Sequence, residues 1–455
     1  MNLLSPVSLA CLVLGYVFFY LLYSFFPSTL WLIFINAIVV TVLITCFHKL
    51  KRSYQLLSGS LIVIGVYFLL SNHAAGSDWL YAVMPNAGVA SLLITVPLLG
   101  MTLYFEPYLE CLQEVMPRYI QKPFHFYSVT ALFGAFLSSL LNIAAIPFLF
   151  QLFSGVAQKY PPRLFYHAMS RGISMNLMWS PSWVSVAVSL QASHLSWREL
   201  MPLGIPLALA GIILSLLLGR LELFFRPLPS SQHPQSANTP IDPAKIRYLY
   251  KLAAQMLLII IFILLLEVIT HKSALVTVPL VSLSVPLLLA LLLRRTAVFK
   301  NRFHTYFTIQ LPKMYSNLIL FSAIGIFGYG LGMSEIRHLL PSTIQQLGIT
   351  SPFPMILLLM SLVGTVGLFG IHPIVSIFTL SVAITPASVG LSQLQMCGAF
   401  LNGYMLYTML SPFAGTGIIF AAITKTNSID MSLRLNFSYA LLFGFINTLL
   451  LVSFF

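Results

Sequence analysis

From Ser5 onward the chain is a succession of apolar runs, most of roughly 18 to 25 residues, each long enough to cross a bilayer core of about 30 Å. Only 7% of the 455 residues are charged, against about 25% in a soluble domain. So few charges cannot cover a water-exposed surface, and most of the surface must face lipid. The short alternating strands of a membrane β-barrel are missing from the pattern. The expected fold class is an all-α polytopic membrane protein, with runs at 6–26, 28–47, 57–72, 86–105, 126–153, 164–192, 200–222, 248–269, 274–294, 314–334, 353–390, 394–424 and 432–455. Several of these are too long for one crossing, so about 11–13 membrane segments with internal breaks are expected.

The formal net charge of +13 does not call for a nucleic acid, because the cationic residues lie in loops between apolar runs. "HKLKR" (His48–Arg52), "RRTAVFKNR" (Arg294–Arg302) and Arg220–Lys251 together hold twelve Lys and Arg, whereas Asn72–Leu80 holds none. Lysine and arginine accumulate on the cytoplasmic side, and all three basic segments fall there if the N-terminus is cytoplasmic. The expected location is the cell inner membrane, with many passes. The first apolar run lacks a basic leader and a small-residue cleavage site, and reads as a retained helix. Cys11, Cys46, Cys111 and Cys397 are scattered, with neither metal-ligand spacing nor a disulfide framework.

A polar linker within 223–247 divides the chain, and its Pro/Ser/Gln-rich stretch Pro227–Lys245 suits a flexible connection. The flanking regions look alike. An amphipathic segment follows an apolar helix at Tyr104–Pro117 and again at Tyr329–Pro341. "FGAFLSSLLNIAAIP" (Phe133–Pro147) then pairs with "VGTVGLFGIHPIV" (Val363–Val375), which sets Asn142 opposite His372. "SMNLMWSPSW" (Ser174–Trp183) pairs with "YMLYTMLSPFAGTG" (Tyr404–Gly417), sharing Met-x-Ser-Pro. Opposite orientation of the two sets makes them inverted repeats, a pattern of secondary transporters. The expected organisation is N-terminal peripheral helices (1–85), a first repeat (86–222), the linker (223–247), connecting helices with a basic loop (248–312) and a second repeat (313–455).

Irregular backbone at membrane depth survives only inside protein or beside a water-filled cavity. Four such places are expected: Asn142 to Pro147, Ser180-Pro181, His372-Pro373, and "SPFAGTG" from Ser411 to Gly417. Each contains proline, which taken singly also reads as an ordinary helix kink. Helix N-termini exposed at breaks favour anions, and freed carbonyls can hold Na+. None of the four contains a carboxylate, whereas a cation carrier would be expected to keep one. The candidate substrate-binding set is Asn142, Ser180, His372 and Ser411, with Pro181, Pro373, Pro412, Gly415, Thr416 and Gly417 shaping it, and with Arg171 and Asn176 adding polarity. Na+ is expected near Asn142 and Ser411. Arg171 reads either as a counter-charge or as an interfacial arginine that snorkels. His372 reads either as a titratable donor or as a histidine bonded to a neighbouring carbonyl.

In the order of helix, amphipathic arm, hairpin and unwound helix, residues 88–222 and 316–455 resemble the ion transporter superfamily. That superfamily includes divalent-anion/sodium symporters, arsenite permeases and the large subunits of tripartite dicarboxylate carriers. The resemblance implies re-entrant hairpins tipped by "LLNIAAIP" and "FGIHPIVS", unwound helices at "MWSPSW" and "MLSPFAGTG", substrate and Na+ between tips and breaks, and elevator movement. It also implies scaffold helices near 88–105, 248–294 and 314–334, which commonly dimerise. Dicarboxylate symporters carry Ser-Asn-Thr at both tips, whereas this chain has Leu141-Asn142-Ile143 and Ile371-His372-Pro373, so the likeness is architectural.

The sequence carries no Walker A loop, HExxH or nucleophile elbow, and an enzyme is not expected. The expected function is secondary active transport of a small organic or inorganic anion coupled to Na+ or H+. The alternatives are an exporter or flippase for a larger amphiphile, and a non-transporting membrane assembly or enzyme subunit.

Overall fold

Serine side chains start several of the apolar helices. Ser5 accepts from the Ser8 N–H at 3.0 Å and begins Pro6–Phe25. Ser196 and Glu199 form a reciprocal capping box at the start of Trp197–Phe225, as do Ser392 and Gln395 for Gln393–Leu410. Such boxes satisfy donors that a helix start leaves orphaned, a need sharpened where water is scarce.

The structure is a computed structural model that describes residues 4–226, 228, 243–346, 348–349 and 351–454. Among these the regular elements are helices, with no strand, and eleven helices are long and apolar enough to cross a membrane. The chain is an all-α polytopic membrane protein. Most of the linker (227 and 229–242) lies outside the described residues.

Two compact units emerge from the contacts. The first comprises Met1–Thr102, Phe262–Ser351 and Ile374–Leu391. Here the helix Arg52–Ser71 lies backbone-to-backbone on Tyr315–Met333. A Cβ on Gly65 would sit 2.7 Å from the Phe327 nitrogen, and one on Gly330 would sit 2.6 Å from the Gly65 carbonyl oxygen. Helices in lipid gain little from burying oily side chains, so close approach at small residues supplies the dispersion that holds them. Polar bonds add to it: the Tyr329 hydroxyl donates to Asp78 at 2.9 Å, and the Asn36 amide to the Leu80 carbonyl at 3.0 Å.

The second unit comprises Leu103–Ile261, Pro352–Pro373 and Ser392–Phe455. Pro123–Ala157 has the composition of one long span, but it turns back on itself. The Phe126 and Phe153 rings lie 6.1 Å apart, whereas a straight helix would separate those residues by about 40 Å at about 1.5 Å per residue. The helices Pro123–Leu141 and Ala145–Ala157 are therefore the limbs of a hairpin. The expected run 164–192 resolves into Pro162–Ser174, a tight turn at Met175–Met178, an irregular stretch and Val184–Ser193. The run 353–390 resolves into Pro352–Leu368 and Pro373–Ala383, which divide between the two units at Pro373.

The first amphipathic segment forms the helix Tyr108–Tyr119, burying Tyr108, Cys111, Leu112, Val115 and Met116 and leaving Glu110, Gln113 and Glu114 exposed. The second, Glu335–His338 continued by Leu339–Gln346, is mostly exposed.

Overpacking typically costs about 1–3 kcal/mol, so Gly330→Ala should lower the thermal midpoint in detergent measurably. Gly155→Ala, whose new methyl meets nothing within 4 Å, should leave that midpoint unchanged or slightly raised.

Candidate functional site

The first limb of the hairpin ends at Leu141, and a helix end leaves its last four carbonyls without intrahelical partners. Asn142 makes the turn with φ +54° and ψ −137°, a conformation outside the left-handed helical region and costly for any residue with a Cβ. Its own amide closes the turn: Oδ1 accepts from the Ile143 N–H at 2.6 Å, and Nδ2 donates to the Ser182 carbonyl at 2.9 Å. The break Ser180–Trp183 donates to two carbonyls at this end, of which that of Ser138 also accepts the Asn142 N–H. Ser180 and Ser182 hydroxyls both donate to the Ser139 carbonyl, at 2.5 and 2.9 Å, and the Trp183 indole donates to the Ser138 carbonyl at 2.8 Å. One turn earlier, the Asn176 amide donates to the Ala135 carbonyl at 2.7 Å and to the Ser138 hydroxyl at 2.6 Å. Ser180 and Ser182 are fully buried. Asn142, Asn176 and Ser180 are thus brought together, and Pro181 sits in the loop that carries the serines.

The second break has a related construction. Gln393–Leu410 ends at Leu410, and the chain crosses Ser411-Pro412-Phe413-Ala414 before Gly415–Thr424 begins. The Ser411 hydroxyl donates to the Gly367 carbonyl at 2.9 Å and accepts from the Phe413 N–H at 3.2 Å. Gly367 lies in the last turn of Pro352–Leu368, so here too a break serine binds the end of a preceding helix. The Thr416 hydroxyl spans the break to the Thr408 carbonyl at 3.1 Å. Asn142 Oδ1 and Ser411 Oγ, expected near Na+, each already accept a backbone N–H.

The turn before His372 differs from the expected proline break. Gly370 supplies it with φ +88°, and Pro373 opens the next helix, a position where its missing N–H leaves no bond unmade. His372 is half-buried, with its ring centroid 5.9 and 5.7 Å from those of Tyr404 and Tyr407. The first tip meets the second break at Gly415, where a Cβ would lie 3.5 Å from the Ile143 methyl.

Arg171 belongs to a separate cluster. It is buried, its Nη1 donates to the Tyr127 hydroxyl at 3.0 Å, and its guanidinium lies 5.0 Å from the Tyr439 ring centroid. Tyr127 in turn shares a hydrogen bond with Ser215. The neighbouring His167 is buried and bonded to Glu222 at 2.9 Å, with Arg163 on the other carboxylate oxygen at 3.4 Å. Sequence reasoning missed Ser182, Trp183, Tyr404 and Tyr407. Nothing along the chain marks which carbonyl a serine or an indole will reach, or which ring will lie beside a histidine. Among the described residues no three His, Cys, Asp or Glu side chains cluster as a metal site.

Because Ser180 and Ser182 share one acceptor, replacing either by alanine should cost about 1 kcal/mol or less. The double variant orphans a buried carbonyl and should cost about 2–3 kcal/mol. A double-mutant cycle on thermal midpoints measures the excess.

A comparison with known families found no family model that matches the chain, and a comparison with curated proteins found no match either.

Proposed function

We infer that the chain is a secondary active transporter of a small organic or inorganic anion, coupled to Na+ or H+, rather than an enzyme. The observation that carries this reading is the hairpin tip at Asn142 and the two breaks at Ser180–Trp183 and Ser411–Ala414, gathered in one compact unit of a polytopic membrane protein. Lipid does not tolerate such backbone, and its usual purpose in a membrane protein is to present polar groups to a solute. Neither tip nor break carries a carboxylate, which suits a substrate that is not a cation. The serine-to-carbonyl bonds at Ser180 and Ser411 support pairing the two breaks as related elements of an inverted repeat.

Asn142, Ser180, His372 and Ser411 are the proposed substrate contacts. A compact unit that carries the Asn142 tip and both serine breaks suits elevator-type alternating access, with the inner membrane as the location. Phe369 and Phe413, 83% and 56% exposed near His372, favour the amphiphile exporter as the second reading.

The test is purified protein in proteoliposomes challenged with a panel of small anions under imposed Na+ and H+ gradients. At least one anion should accumulate with a gradient, and Asn142→Ala and Ser411→Ala should each slow uptake by roughly tenfold, about 1.4 kcal/mol. No uptake of any anion under either gradient would overturn the reading, and movement of a labelled amphiphile instead would establish the second one. His372→Ala should slow uptake of the same anion severalfold by removing a polar contact beside Tyr404 and Tyr407. An unaltered uptake rate would remove the ring from the mechanism.

A further inference from the structure

In the first unit the helix Ala274–Leu292 ends in a tight turn at Arg294, whose φ is +55°, and the Arg295 N–H returns to the Ala290 carbonyl at 2.7 Å. A left-handed residue of this kind redirects the chain, and the short helix Thr296–Thr305 follows. Its ten residues reach about 15 Å, too little to cross a bilayer core. Because it joins two membrane-length helices, it lies at the edge of the bilayer. Phe299, Phe303 and Phe307 stack along one face, with ring centroids 5.7 and 6.2 Å apart, and all three are half-buried. At 3.6 residues per turn, Arg295 and Arg302 fall on one flank of this ridge and Lys300 and His304 on the other. All four are exposed.

A second basic segment joins the first. The Tyr315 hydroxyl donates to the Lys49 carbonyl at 3.2 Å, which brings the loop His48–Arg52 to the turn that carries Lys313. Lys51, Arg52 and Lys313 are exposed. Neither basic segment contains an Asp or Glu. The acidic residues of this unit stand toward the other ends of its helices. Asp78 accepts from Tyr329, about 21 Å along the helix from Tyr315. Glu335 follows the end of that helix, and Glu267 precedes Ala274–Leu292, whose far end leads to Arg294.

Membrane topology accounts for cations on one side of the bilayer, but it asks only that they lie somewhere in the loops. Here they flank a ridge of aromatic rings, with Leu291 and Leu292, 56% and 78% exposed, directly before Arg294. An acidic protein would use the charge and leave the apolar surface idle. A phospholipid uses both, because its phosphate meets cations at headgroup depth while its chains follow the apolar side.

We propose that this face of the first unit, made by Lys51–Arg52, Arg294–Arg295 and the helix Thr296–Thr305, binds anionic phospholipid. The phosphates sit on the cations, and the acyl chains run along the phenylalanine ridge and the exposed leucines. The proposal goes beyond the transporter reading and does not depend on it.

The test is thermal unfolding of the full chain in neutral detergent, titrated with phosphatidylglycerol, with phosphatidylcholine of the same acyl chains, or with inorganic phosphate. Phosphatidylglycerol should raise the midpoint saturably, because a ligand bound only to the folded state stabilises by mass action, and the other two should not. The fourfold variant Lys51→Gln, Arg52→Gln, Arg294→Gln and Arg295→Gln removes exposed charges only. It should raise the lipid concentration required by at least about tenfold. A matched variant, Lys122→Gln, Lys159→Gln, Arg198→Gln and Lys425→Gln, lowers the net charge equally at exposed positions of the second unit and should keep the full response. Equal midpoints with the two lipids, a full response to inorganic phosphate, an unchanged response in the first variant or an equal loss in both would overturn the proposal. If the first variant fails to fold, native mass spectrometry of the unaltered chain decides: retention of phosphatidylglycerol over phosphatidylcholine supports the site, and equal retention overturns it.

Discussion

The Ser139 carbonyl, held by the hydroxyls of Ser180 and Ser182, states the constraint on which the rest of the second unit depends. A helix that stops inside a membrane must hand its last carbonyls to another part of the protein, because lipid provides no donors. The hairpin can turn at Asn142 only because the break Ser180–Trp183 lies alongside to receive its end. The break, in turn, keeps its shape by donating to that end. Turn and break are one structure, although some 40 residues separate them.

The same economy operates at Ser411, which binds the Gly367 carbonyl across a similar sequence distance. Each break then has a polar flank directed at a helix end and an irregular backbone available for other contacts. Bonds of this kind are individually modest, about 1 kcal/mol net, but leaving a buried partner unpaired costs more. This asymmetry gives the site a preferred arrangement without a single charged pair at its centre. Charged side chains of the unit pair elsewhere, among them Arg163 with Glu222, whose other carboxylate oxygen is bonded to His167.

Much of the fold was legible along the chain. Apolar runs of membrane length announced helices, and the prolines and small polar residues announced where they fail. The failures themselves were read less well. Proline at 373 suggested a broken helix, but it starts one, and the turn belongs to Gly370, whose φ of +88° only glycine adopts readily. Arg171 offered two readings from sequence, snorkelling arginine or counter-charge. It proved to be buried against Tyr127 and Tyr439, because the aromatic partners come from helices that sequence order does not place beside it. The run 126–153 was expected to break at Asn142–Pro147, and the chain does turn back there between Pro123–Leu141 and Ala145–Ala157.

The sequence by itself determined that this protein lives in a bilayer as a bundle of helices, and roughly where those helices are interrupted. Composition, run length and proline placement are local properties that lipid reads directly. Tertiary structure alone decided that Ser180 and Ser182 share a single carbonyl, that Ser411 reaches the Gly367 carbonyl, and that Arg171 lies against Tyr127 and Tyr439. Those outcomes depend on which donor reaches which acceptor across the unit, and a linear chain carries no record of distance.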